Sequence, residues 1–115
     1  MVNIEFQKAT LLSVIDTIDY VPMSVVIKTI LKRNTGSIRV FSFDLGETFS
    51  AKISPYDSFI QILDGSAEVQ IDYSYYHIKT GNSMIIPAHT RSSITASERF
   101  KMLVTIIKSG YEEVS

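Results

Sequence analysis

Apolar and polar residues alternate along much of this chain with a period of two. The clearest run is Ala67-Glu68-Val69-Gln70-Ile71-Asp72, where small or apolar side chains take every other place. Successive side chains of a strand point to opposite faces, so this run predicts a strand with one buried and one wet face. Runs of β-branched and aromatic residues predict further strands over Val25 to Leu31, Ile38 to Phe43, Phe59 to Leu63, Met84 to Ile86, Ser92 to Thr95 and Phe100 to Ile107. Turn-forming triplets separate them: Asn34-Thr35-Gly36, Asp44-Leu45-Gly46, Tyr73-Ser74-Tyr75, Thr80-Gly81-Asn82 and Ser97-Glu98-Arg99, with Asp64-Gly65 as a tighter pair. Glycines 36, 46, 65 and 81 all fall between predicted strands, where a positive φ is expected. One helical turn is expected near Thr10 to Ile15, with Thr10 as its cap. Many short strands joined by regular turns predict an all-β sandwich or barrel.

The pattern also assigns faces. In Phe100 to Ile107, Phe100, Met102, Val104 and Ile106 share one face, while Leu103 and Ile107 make the other face apolar too. A barrel strand needs only one apolar face, so the second predicts a partner sheet and hence a homodimer. Tyr76 is expected inward, in phase with Ile78, with His77 outside. Tyr73 and Tyr75, on a predicted hairpin turn, are expected to meet a partner subunit or a neighbouring loop.

Composition narrows the classes. With 115 residues the chain predicts one domain, 1–115, with no internal boundary. The net charge is −1, from 11 basic and 12 acidic residues, so bulk charge recruits neither nucleic acid nor an anionic membrane. Lys28, Lys32, Arg33 and Arg39 straddle a predicted turn and read as a solvated strand surface. The absence of cysteine removes disulfides, thiol catalysis and zinc–thiolate sites. The first residues, MVNIEFQKAT, lack a leader pattern, and no apolar run approaches a membrane span. A cytoplasmic protein is the expectation.

Two stretches resemble the cupins, small double-stranded β-helix (jelly-roll) barrels. The family's first motif opens and closes on glycines and carries a His-x-His pair and a glutamate between them. Here, over about 46–65, Gly46 and Gly65 keep the glycine places, and Lys52, Ser54 and Ser58 stand where the histidines and glutamate belong. The second motif, about 81–96, reads "GNSMIIPAHTRSSI" at its start: Gly81 and Pro87 match, His89 takes a glycine position, and Ser92 takes that of a histidine. The flanks are similar to single-domain bacterial conserved-barrel cupins, which are often homodimers. The resemblance implies an all-β cupin barrel with at most one short N-terminal helix.

In metal cupins the matching side chains point into the barrel and hold a divalent cation. A protonated lysine and neutral hydroxyls are poor ligands, so no metal and no other cofactor is expected. Strand alternation would put Ser50, Lys52 and Ser54 on one face, with Ser58, Ile60 and Ile62 facing inward from the next strand and Ser92 opposite. Lys52 reads either as a rim lysine paired with Asp57 or Asp44, or as the cation of a pocket for a small polar or anionic molecule. Three functions follow. The first is a metal-free binding cupin. The second is a metal-independent isomerase or lyase using Lys52 with His89, a turn histidine expected at the barrel mouth. The third is a structural or regulatory domain acting through its dimer, its barrel filled by Ile60, Ile62, Met84 and Met102.

Overall fold

The computed structural model describes residues 6–51 and 53–108. A single 3₁₀ turn, Val14–Asp16, is followed by strands β1 (Val25–Arg33), β2 (Gly36–Phe43), β3 (Thr48–Ala51), β4 (Asp57–Asp64), β5 (Ser66–Ile71), β6 (Ser74–Lys79), β7 (Ser83–Ile86), β8 (Ser92–Ala96) and β9 (Phe100–Ile107). They form a five-stranded sheet, β1-β2-β9-β4-β7, and a four-stranded sheet, β3-β8-β5-β6, each with antiparallel neighbours. The two sheets make an all-β jelly-roll barrel, the kind of barrel that the motif resemblance implies and one of the all-β forms that the periodicity predicts.

Each strand run predicted from β-branched and aromatic residues lies inside or within a residue of an observed strand, and β3 and β6 fall where alternation is expected at Ser50 and at Tyr76 to Ile78. The alternation sets the core: Phe41 and Phe43 on β2, Ile60 and Ile62 on β4, and Phe100, Met102 and Val104 on β9 meet Ala67, Val69, Ile78, Ile94 and Ala96 from the other sheet. One end of the barrel is plugged by the stacked rings of Phe43 and Phe100, with centroids 4.3 Å apart. Gly65 stands at the β4–β5 corner with φ +86°, and a Cβ built there would collide with the Arg99 carbonyl oxygen. Gly36 does not adopt the expected positive φ. It opens β2, and a Cβ there would meet the Ile106 carbonyl oxygen, so its role is close approach of strands.

Three sequence expectations need correction. The helical turn is shorter and later than Thr10 to Ile15, and Ser13, not Thr10, precedes it. Residues 13–20 instead form a strap over the outer face of the five-stranded sheet. Ser42 Oγ donates to the Asp19 carbonyl, Lys28 Nζ to that of Thr17 and Lys101 Nζ to that of Ile15. Ile18 on the strap is 1% exposed, and the outward-facing Val40 and Ser42 of β2 are equally buried. Lys28 stays exposed, as expected of a solvated strand surface, and its ammonium also anchors the strap. Tyr73-Ser74-Tyr75 is not a turn, because β6 begins at Ser74 and the turn is Asp72-Tyr73. Tyr76 shares a face with Ile78 yet stays exposed, because β6 is an edge strand.

The strap is clipped at its far end by polar contacts. Tyr20 donates its phenol proton to Asp64 at 2.6 Å, and burial, with that hydrogen bond, pushes the phenol well above its ordinary range. Asp44 accepts from the Met23 backbone N–H at 2.6 Å and from Arg99 Nε at 3.0 Å, and these contacts hold its carboxyl below the usual carboxylate value. On the outer face of the same sheet, Phe59, Ile85 and Ile107 remain exposed. No described helix is long and apolar enough to cross a membrane.

Candidate functional site

The barrel does not fill completely. A cavity of about 480 Å³ lies between the sheets, away from the Phe43–Phe100 plug. Its position follows from register. Arg39 on β2 pairs with Val104 on β9, which pairs with Ile60 on β4, and the next inward row carries Ile106 and Ser58. From the opposite sheet, Ser92 and Ile94 of β8 face this row, with Phe49 paired to Ile94. Residues after β3 and β7 close the sides: Ser54 and Tyr56 from one, Pro87 and Thr90 from the other. The His89 N–H donates to the Ser54 carbonyl at 2.7 Å and the Ala88 N–H to Asp57 at 2.8 Å, tying these two segments together.

The cavity joins two chemistries. Phe41, Phe49, Ile60, Ile94, Met102 and Val104 give it apolar walls. Hydroxyls of Ser54, Tyr56, Ser58, Thr90 and Ser92 cluster with them. Ser54 Oγ accepts the Tyr56 N–H at 3.1 Å, which leaves its own proton to donate. The hydroxyls of Ser58 and Ser92 have no hydrogen-bond partner among the described residues. No Asp or Glu is among the described residues lining the cavity, and Arg39 is the one cation there. Its guanidinium stands 5.4 Å from the Phe41 ring centroid, and its Nε is buried without a hydrogen-bond partner. At the margin, Lys108 Nζ lies 5.6 Å from the Tyr56 ring centroid.

Of the residues singled out from sequence, Ser54, Ser58, Ile60, Ser92 and Met102 come together on this cavity. Ser50 borders it, but pairs with Ser93 on the outer face of β3; Phe49 is the inward residue, so the expected alternation from Ser50 is shifted by one. Ile62 is buried in the core and Met84 packs against that core, both outside the cavity lining. His89 is exposed and is not part of the lining; its φ of +63° shows it holding the backbone shape of the motif's glycine position. Lys52 lies outside the described residues. Arg39, expected on a solvated surface, faces inward instead. The signal was present, since Arg39, Phe41 and Phe43 share one phase of β2.

No family model matches the chain, and no curated protein does. Solved structures do. The chain is similar to a conserved protein of unknown function from Streptococcus pyogenes, at 31% identity and a TM-score of 0.84, covering 96% of this chain and 94% of that one. It is similar to a cupin superfamily protein from Desulfitobacterium hafniense, at 25% identity and a TM-score of 0.81, covering 90% and 94%. A cupin 2 conserved barrel domain protein from Leptotrichia buccalis matches at 25% identity and a TM-score of 0.79, covering 82% of this chain and 46% of that one.

Proposed function

The chain belongs to the cupin superfamily, and we propose that it is a binding cupin that holds a small polar molecule in its barrel without a metal. The observation that carries this reading is the cavity of about 480 Å³, of a size ordinary for small-molecule sites, with hydroxyls that no described residue satisfies. Buried polar groups are normally paired, so unpaired ones around a cavity favour a polar occupant. Such hydroxyls orient a ligand, while the apolar walls exclude water from it.

The fold family implies a divalent metal at this place, and the donor set does not suit one. Ser54, Ser58 and Ser92 bring neutral hydroxyls, and among the described residues no group of His, Cys, Asp and Glu converges. Metal analysis after purification without an affinity tag checks this, and stoichiometric metal contradicts it. Binding is favoured over acid–base catalysis because His89 is exposed outside the cavity lining.

A thermal-shift panel of organic acids and sugars, run on wild type and Ser92→Phe, tests the binding reading. A ligand at 100 times its dissociation constant stabilises the folded state by about 2.7 kcal/mol. The account expects at least one compound to raise the wild-type midpoint and to leave Ser92→Phe, whose ring fills the cavity, unmoved. No response across the panel, or equal responses in both proteins, contradicts it.

A further inference from the structure

We infer that the occupant of the barrel is a monocarboxylate with an apolar body, its carboxylate held by Arg39; this rests on the binding reading above. Arginine keeps its proton at any ordinary pH, so its charge cannot be relieved by titration. Arg39 Nε is buried and has no hydrogen-bond partner, and no acidic side chain is among the described residues lining the cavity. Arg39 as a whole is half-buried, but its Nε is shut off from water with no partner, which is costly, and the cavity beside it is where an acceptor of opposite charge fits.

The geometry selects the kind of anion. With its guanidinium 5.4 Å from the Phe41 ring centroid, Arg39 is positioned by an aromatic neighbour that leaves its buried Nε–H without an acceptor. A planar fork matches a carboxylate with two parallel hydrogen bonds. The hydroxyls of Ser58 and Ser92, unpaired among the described residues, and that of Ser54, whose proton is free, can complete the shell of the anion. One guanidinium balances one negative charge. A phosphate monoester near its dianionic form would leave excess charge in a cavity with no second lining cation among the described residues. The rest of the wall, Phe41, Phe49, Ile60, Ile94, Met102 and Val104, offers nothing to a polyol's remaining hydroxyls and suits a branched or aromatic hydrocarbon group.

Isothermal titration calorimetry with matched probes tests this. The probes are butanoate, 4-methylpentanoate, benzoate and phenylacetate, the primary amide of each, and phenyl phosphate. The expected result is that at least one acid binds wild type tenfold or more tighter than its amide. Arg39→Met then loses that advantage, Arg39→Lys keeps part of it, and amide affinity is unchanged in both. Circular dichroism and thermal melts establish that the variants are folded, and the acid–amide comparison on wild type needs no variant. If an amide binds as well as its acid, or Arg39→Met binds acids unchanged, the charge assignment is overturned while the binding reading stands. Tighter binding of phenyl phosphate than of every acid overturns the carboxylate. If neither acids nor amides bind, the inference is overturned, and if the thermal-shift panel is also silent, the binding reading falls with it.

Discussion

Replacing Ile18 by alanine isolates what the strap contributes to the barrel. Ile18 is 1% exposed, and the strap that carries it covers Val40 and Ser42 on the outside of β2. The substitution removes three carbons; at about 0.8 kcal/mol per buried methylene the transfer loss is about 2.4 kcal/mol. A hole that closes incompletely adds to this, giving about 3 kcal/mol, inside the range of about 2–5 kcal/mol for such truncations. In urea, with a slope of about 1.5 kcal/mol per molar, the unfolding midpoint moves down by about 2 M. Leu11, fully exposed in the same N-terminal segment, supplies the control: Leu11→Ala is expected within about 0.5 kcal/mol of wild type. Equilibrium unfolding followed by tyrosine fluorescence and far-ultraviolet circular dichroism measures both. If Ile18→Ala shifts the midpoint no more than Leu11→Ala, with an unchanged slope, the strap is not an integral layer of the fold.

Other predictions address corners, charges and assembly. Gly65→Ala is expected to destabilise more than Gly46→Ala, because both have φ above +80° but only Gly65 abuts backbone, at Arg99; backbone strain alone costs about 1–3 kcal/mol, and equal losses in urea melts would refute the close-approach argument. Tyr20 holds its proton in the folded state above its ordinary value of 10.0, so the stability it contributes is present below that pH and is lost as pH rises beyond it. Tyr20→Phe should flatten this alkaline limb of the thermal midpoint, and an unchanged limb refutes the assignment. Asp44 has the opposite sign: its folded value lies below 3.8, so its contribution is intact above that pH and is lost as pH falls through the folded value. Asp44→Asn should remove this acid dependence. A second copy on the outer face predicts a dimer by light scattering and a monomer for Ile85→Lys combined with Ile107→Lys, since both side chains are exposed there; a monomeric wild type contradicts it.

What could be read from the sequence depended on how each strand is buried. β5 and β9 alternate because one face of each lines the barrel, so the inward positions of Val69 and Met102 are legible in the sequence. β6 is legible only as the alternation of Tyr76, His77 and Ile78, because it is an edge strand with almost every position exposed. β3 spans only Thr48–Ala51, too short to fix its phase, so the alternation expected from Ser50 is shifted by one. The strap leaves no pattern in the sequence because Ile18 is its one fully buried residue among half-buried and exposed ones, and its partners lie on β1, β2 and β9. In the cavity, the motif spacing located Ser54, Ser58 and Ser92, while Arg39 was obscured by grouping it with nearby charges. Counting in twos back from Phe43 would have turned it inward.

The most direct test of the account is a nuclear magnetic resonance titration of the protein with phenylacetate and 4-methylpentanoate, following the Arg39 Nε–Hε signal and the side-chain methyl groups. The account predicts saturable shifts at Arg39 and at Ile60, Ile94 and Met102 on the cavity wall, with Ile85 on the outer face unmoved. Saturable shifts confined to the outer face, or none at the cavity residues at any concentration, would contradict it.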